Sequence, residues 1–512
     1  MMLDLDICAM VLDHLDRRAD ITAFMRASRL FSTVGARRLL HTGVTLRTGP
    51  RLDSFSRFML RDLDARAPSL RRLVLSFELL LVDDEAAQEG EKLRNMPRVA
   101  AQLARVLRHT TNLQHLTIHF CEELLQREEA LVGALVGLES VTHLTVSSYG
   151  IRTHDVVTGI RSPLVHVNVD CYTKTQHDIN LMQTLARHRD TLETVTAWGV
   201  NLSAQFLAQD DADDAIVFPR VHALSIRSSL SLDRAALVRA FPNVRTLEVA
   251  DVRLPVAARP PGPLVAAAQQ LAAANHQSKA TWAHLNHLCG DGDALFMLGL
   301  GLRAVRRVDM EGRSSRYGEA LAAARPTHLV LHSGFKNEHR NECRSLLFRL
   351  NRAITHLGID LCPKTHALDD TMEPLVKTMQ EVRNLAFVAV RLRAVPLEEE
   401  SPYGRDDPRH PEIRRYLHPI EGSDGELGAT ELSDWVGRMA QAAPALRYVS
   451  FDLEGYPPCY FRILAPGVVG ILEPDEGEAV VRRKGMEWRR REPRPPRFEE
   501  GKILDKATGQ WG

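Results

Sequence analysis

One short figure of apolar and polar positions recurs along this chain. It runs as an apolar residue, two variable residues, a central Leu or Val, one variable residue and a further apolar residue. The clearest copies are LQHLTI at 113–118, VTHLTV at 141–146, PTHLVL at 326–331 and AITHLGI at 353–359. Looser copies stand at 70–75, 164–169, 192–197, 221–226, 244–249, 285–289, 305–310, 382–387 and 446–451. Their central residues are Leu73, Leu116, Leu144, Val167, Val195, Leu224, Leu247, Leu288, Val308, Leu329, Leu357, Leu385 and Val449. Alternation over so few residues predicts a strand with one apolar face. Between strands the apolar spacing becomes helical at 97–108, 177–188, 233–241, 318–324 and 371–379. Ser54, Phe55, Phe58, Met59 and Leu63 supply a further helix, after a first strand at 44–46. A strand-plus-helix unit of this size cannot bury its apolar face alone, so successive units must stack. The expected fold is α/β, a solenoid with about a dozen parallel strands on its inner face.

Most central residues follow one another at about 20–29 residues, the spacing of a leucine-rich repeat. In that register the central residue and the residue two later point into the core, and the residues before, between and after them face the concave side. Six copies place a histidine just before the central residue: His115, His143, His166, His287, His328 and His356. Stacked imidazoles can share hydrogen bonds and cover a sheet, and that reading is preferred to a ligand-binding row. After the second core residue come His119, Asp170, Trp198 and Arg227, on equivalent positions with one rung, Ser147, between the first two. An outward Trp flanked by Asp and Arg resembles an interface anchor, and packing under a loop is the equal alternative. These four residues are the expected site for a protein substrate. The competing sites are the convex side and the segment 396–429.

Charge and chemistry narrow the picture. The 512 residues carry 65 Lys and Arg against 65 Asp and Glu, which speaks against nucleic acid or an anionic membrane as partner. No run of apolar residues is long enough to cross a bilayer, and Asp4, Asp6 and Asp13 interrupt the first apolar stretch, so no signal peptide is expected. Seven scattered cysteines read as free thiols in a reducing compartment, cytoplasmic or nuclear. His115, His119 and Cys121 share one strand face, and His284, His287 and Cys289 lie close together, but no recognised ligand spacing completes either group, so no metal or other cofactor is expected. No P-loop, GxSxG or HExxH motif occurs, and Gly290-Asp-Gly292 does not fit a dinucleotide site, so no catalytic residue is assigned and no enzyme is expected. The runs 83–91 and 210–214 read as solvated acidic loops, 253–263 as a Pro-rich irregularity, and 396–429 as a mobile insertion.

The first residues differ from the repeats. Leu3, Ile7, Val11, Leu12 and Leu15 follow helical spacing, Ile21, Phe24, Met25, Leu30 and Phe31 give a second amphipathic stretch, and Ala36, Leu39 and Leu40 a third. The wording of 3–15, 20–31 and 36–44 resembles an F-box and is similar to F-box proteins of higher fungi; Asp4 stands where that family usually has Pro. The resemblance covers an F-box-like helical domain at 1–46; the repeat pattern gives a leucine-rich-repeat-like solenoid at 47–460, and its end leaves a C-terminal cap and tail at 461–512. The resemblance implies a substrate-recognition subunit of an SCF-type cullin ubiquitin ligase, with Leu3, Ile7, Leu12, Leu15, Ile21 and Phe31 contacting the adaptor subunit. The alternative is a non-catalytic interaction scaffold whose N-terminal helices only cap the solenoid. An exposed apolar face on those helices separates the first reading from the second.

Overall fold

The computed structural model describes residues 17–76, 86–119, 128–171, 180–200, 216–227, 232–250, 263–299, 305–311, 317–332, 353–361, 368–380, 382–392, 429–453, 457–465 and 467–488, with 7, 10–12, 14–15, 122, 125–126, 504–505 and 510–511. The chain forms two compact units, Met1–Ile354 and Thr355–Gly512.

In the first unit eleven strands follow one another in chain order: β1 (Val44–Leu46), β2 (Arg72–Ser76), β3 (His115–His119), β4 (His143–Ser147), β5 (His166–Asp170), β6 (Thr194–Trp198), β7 (Ala223–Arg227), β8 (Thr246–Ala250), β9 (His287–Asp291), β10 (Arg307–Glu311) and β11 (His328–Leu331). Each pairs in parallel with the next. The predicted central residues stand directly opposite one another from Leu73 on β2 to Leu329 on β11. All ten are at most 2% exposed, each stabilising the fold by about 1.5–3 kcal/mol relative to an exposed side chain. The second apolar row, with Ile118 and Val146, is equally buried.

The start of most strands is fixed by one carbonyl that accepts twice. Arg71 O accepts from Gln114 N at 2.9 Å and His115 N at 3.0 Å, Gln114 O from Thr142 N and His143 N at 2.9 Å each, and Thr142 O from Val165 N and His166 N at 2.9 Å each. The same double acceptance recurs at Val165, Glu193, His222, Arg245 and Arg306. Side chains add ties between rungs, with Ser140 Oγ donating to Leu113 O at 3.0 Å and Thr191 Oγ1 to Leu164 O at 2.7 Å.

Helices alternate with the strands and pack on the helices of neighbouring rungs, as Ala86–Arg108 does on Gly49–Leu60 and Glu129–Val136. Residues 86–91, expected as part of an acidic loop, are helical, and Pro97 lies inside that helix. The helix Pro263–Gln277 begins at the end of the Pro-rich stretch 253–263, the rest of which lies outside the described residues. Asn275 ties it in: its Oδ1 accepts from Arg234 N at 2.9 Å, and its Nδ2 donates to Leu232 O at 2.6 Å and Met297 O at 2.8 Å. Before β9 the apolar position expected at Leu285 is half-buried, and Trp282 fills the core instead, with Nε1 donating to Phe241 O at 2.9 Å.

Ahead of β1, residues 7 and 10–12 are helical and the helices Arg18–Ala27 and Arg29–His41 pack on each other. Ser28 caps the second by accepting from Phe31 N at 3.1 Å, and Phe24 stacks on Phe31 at 4.2 Å. Leu12, Ile21, Ala36 and Leu40 fill the interior. No helix among the described residues is long and apolar enough to cross a membrane.

In the second unit β12 (His356–Leu361), β13 (Phe387–Leu392) and β14 (Tyr448–Leu453) are parallel. The strands β15 (Cys459–Ala465) and β16 (Val468–Leu472) then continue antiparallel, so the repeat limit drawn at 460 falls inside β15. The helix Pro474–Lys484 follows and packs on β15. Leu357 and Ile359 are buried as expected. The register of β13 differs: Leu357 faces Val388, so the central residue is Val388, three positions after Leu385. The run 385–390 is apolar almost throughout and matches the figure as well as 382–387 does, so alternation cannot choose between them. Asn384 consequently precedes the strand, Val388 is core, and Arg391 takes the outward position beside Asp452, at 2.5 Å. The segment 396–428 lies outside the described residues, and Ala429 opens the helix Ala429–Ala442.

The stacked histidines yield a prediction. His115 and His143 lie 4.1 Å apart between ring centres, and His143 and His166 4.2 Å apart. Burial, then the neighbouring His115 and His166 rings, lowers the pKa of His143 from 6.5 to about 4. Between those values the unfolded chain takes up a proton that the folded chain refuses, so stability is full above the higher value and falls as pH drops toward the lower. Urea unfolding followed at neutral and mildly acidic pH is expected to show this loss. His143→Thr, which copies Thr194 and Thr246 at the same position, is expected to reduce it.

Candidate functional site

The strand face turned away from the Leu and Val rows carries three side-chain rows per rung. The first row begins Arg72, His115, His143, His166. Thr142 Oγ1 lies 2.9 Å from His143 Nδ1, and Thr327 Oγ1 2.8 Å from His328 Nδ1. Each hydroxyl also reaches the carbonyl of the preceding rung, Gln114 O at 3.3 Å and Arg306 O at 3.1 Å. A hydroxyl has one proton, so donation to the carbonyl makes Nδ1–H the donor to Oγ1 and leaves Nε2 as acceptor. The histidine row is thus built into the ladder.

The last row brings the expected substrate residues together. Asp170, Trp198 and Arg227 are opposite one another on β5, β6 and β7. Ser147 faces Asp170, and His119 Nδ1 lies 3.3 Å from Ser147 Oγ. All four expected residues therefore share one line, and all are half-buried. The Arg227 guanidinium lies 4.8 Å over the Trp198 ring and pairs with Glu248. Arg227 is held from two sides, which fixes the plane against which Trp198 rests.

The middle row reads Val74, Thr117, Thr145, Asn168, Thr196, Ser225 and then changes to Glu248, Cys289, Asp309. Glu248, Cys289 and Asp309 are 2%, 0% and 0% exposed. Ser225 Oγ donates to Glu248 Oε2 at 2.7 Å. Cys289 Sγ donates to Glu311 Oε1 at 3.8 Å. Asp309 accepts from Arg307 Nε at 2.7 Å and Nη2 at 2.9 Å, and His287 Nε2 stands 3.0 Å away. His332 Nε2 lies 3.9 Å from the same carboxylate. Burial alone would push this carboxyl up, but His287, His332 and the Arg307 guanidinium hold it well below the usual carboxylate range.

This buried polar strip was missed in the sequence, although alternation had assigned its positions to the outward face. The signal was the change from Thr, Asn and Ser to Glu, Cys and Asp at one repeat position. Asp291, expected as an outward residue, caps the helix Gly292–Met297 by accepting from Ala294 N at 2.7 Å. Gly290 is required by close approach, since a Cβ there would lie 2.0 Å from Val249 O. An open cleft of about 560 Å³ lined by Glu193, Arg220, His222, Asn243, Arg245 and His284 sits at the strand starts, where Arg220 and Glu193 pair at 2.9 Å. Exposed pairs of this kind are weak, and the buried strip is the stronger candidate.

At the N-terminus, Ile7 is exposed, Leu15 and Phe31 are half-buried, and Leu12 and Ile21 are buried; Leu3 lies outside the described residues. Leu12 and Ile21 thus hold the helices together, while Met10 and Val11, absent from the expected contact set, join Ile7 at the surface. No protein-family model and no curated protein matches the chain.

Removing the central carboxylate tests the strip. Asp309→Ala removes a fully buried carboxylate from half-buried Arg307 and His287 and is expected to cost about 3 kcal/mol, read as a shift in the urea midpoint. Thr145→Ala in the neutral part of the same row is expected to shift it far less.

Proposed function

We propose that the chain is the substrate-recognition subunit of an SCF-type cullin ubiquitin ligase. In this reading the N-terminal helices form an F-box that binds the adaptor subunit, and the strand-and-helix rungs form a leucine-rich-repeat-like solenoid that holds a protein substrate. The observation that carries it is the apolar surface ahead of the repeats. Ile7, Met10 and Val11 are 44%, 59% and 42% exposed, three of the seven exposed large apolar residues among those described. A helical surface of this kind is suited to a partner groove. The F-box resemblance of 3–44 supports the same reading, as does the repeat register, which presents a continuous side-chain face. The action is proximity: the receptor holds a substrate lysine near a charged conjugating enzyme and does no chemistry itself. Nucleic acid and membrane are not partners in this reading, and the site of action is the cytoplasm or nucleus. The scaffold alternative draws support from the packing of Arg29–His41 against the turn Ala67–Ser69, as expected of a capping helix.

The two readings part in calorimetry. Ile7→Asp with Val11→Asp changes only exposed positions and is expected to abolish adaptor binding while leaving thermal melting unchanged. Unchanged binding would assign the helices to capping. Leu12→Asp is a poor probe, because it buries a charge in the helix interior.

The substrate row is tested at Trp198. Trp198→Ala is expected to weaken cross-linked substrate recovery from lysate while adaptor binding stays intact. Recovery lost only on deletion of 396–428 would place the substrate site in that segment instead. Arg227→Ala is unsuitable, since it strips the buried Glu248 of its ion-pair partner.

A further inference from the structure

We propose that Glu248, Cys289 and Glu311 form a binding site for a divalent cation of the zinc class. One donor atom from each residue lies within 4.8 Å of the other two, and all three side chains are buried. They come from β8, β9 and β10, three neighbouring strands whose spacing the hydrogen-bond ladder fixes. The donors are therefore held in place before any ion arrives.

The distances fit. Zinc bonds of about 2.0–2.3 Å to oxygen and sulfur in tetrahedral geometry put neighbouring ligand atoms about 3.5 Å apart. Cys289 Sγ and Glu311 Oε1 stand 3.8 Å apart, close to that figure, and the Glu248 donor lies within 4.8 Å of both, so side-chain rotation brings it to the ion. The chemistry fits as well. A thiolate with two carboxylates suits a borderline cation and disfavours magnesium or calcium, which take oxygen alone. Glu248 and Glu311, 2% and 9% exposed, offer carboxylate oxygens in a medium of low dielectric, where a cation is held more strongly than in water. Ser225 and Arg227 grip Glu248 from the side and orient its carboxylate, the task of groups one layer outside a metal. Three protein ligands leave a fourth position for water.

Binding has a defined proton balance. The Cys289 thiol now donates to Glu311. On coordination the S–H bond breaks, the sulfur keeps the electron pair and bonds the cation, and the proton passes to solvent. Affinity must therefore rise with pH while the thiol is the protonated form.

The test uses the full-length chain stripped by chelation and titrated with cobalt. The expected result is a saturable thiolate-to-cobalt charge-transfer band, lost on zinc addition and absent in Cys289→Ser. Glu311→Gln is expected to weaken zinc binding by about tenfold or more, and Ser225→Ala by about tenfold, without removing the band. Should Cys289→Ser fail to fold, alkylation of the native chain decides: zinc is expected to slow modification of Cys289 and leave Cys459 unaffected. A native chain that gives no charge-transfer band, a band that survives in folded Cys289→Ser, or alkylation of Cys289 indifferent to zinc would each overturn the proposal and leave the cluster as a hydrogen-bonded network.

Discussion

At eight of the rungs of the first unit a single carbonyl oxygen accepts two backbone N–H groups from the rung that follows, and the remainder of that unit depends on this repeated contact. It sets where those strands begin. Because side chains alternate strictly along a strand, a slip of one residue would exchange the apolar and polar faces. The ladder prevents the slip, and each repeat position becomes a straight row of side chains. Rows of Leu and Val then meet the helices, while rows of His, Thr and acidic residues meet one another on the other side.

Those polar rows divide into two kinds. On β3 to β5 the first two rows hold imidazoles, hydroxyls and an amide: His115, His143 and His166 stack, and Thr142 lies against His143. On β7 to β10 they are ionised groups with little exposure. Asp309 is 0% exposed and Glu248 2%, a cost that only close guanidinium and imidazole partners offset. Such an arrangement is rigid, because moving any member leaves a buried charge behind. Trp198 sits where the two kinds meet, against the guanidinium of Arg227. A partner reaching that ring would touch a surface organised in advance, which lowers the entropic cost of binding.

The N-terminal helices follow a different logic. Leu12 and Ile21 close their interior, and Ile7, Met10 and Val11 are left to solvent. Ile7 to Val11 spans about one helical turn, so the exposed residues lie close together. Burial of one set and exposure of the other lets the same segment pack an interior and still present an apolar surface.

Period alone determined the α/β class, the parallel order of the strands and the buried rows, because alternation and repeat length are local properties of the chain. His115, His143 and His166 were placed on one row by counting, as were Asp170, Trp198 and Arg227. Counting failed at 385–390, where nearly every residue is apolar and several registers satisfy the same pattern; the pairing of Leu357 with Val388 decided it. It also failed before β9, where Trp282 and not Leu285 fills the core, since that choice depends on what stands across the rung. Asp291 kept its place in the register and also caps a helix. The change to Glu, Cys and Asp at one repeat position was legible by counting, but the burial and pairing of that strip belong to tertiary structure. Glu248, Cys289 and Glu311 are far apart along the chain, and only the ladder brings their donor atoms within 4.8 Å of one another.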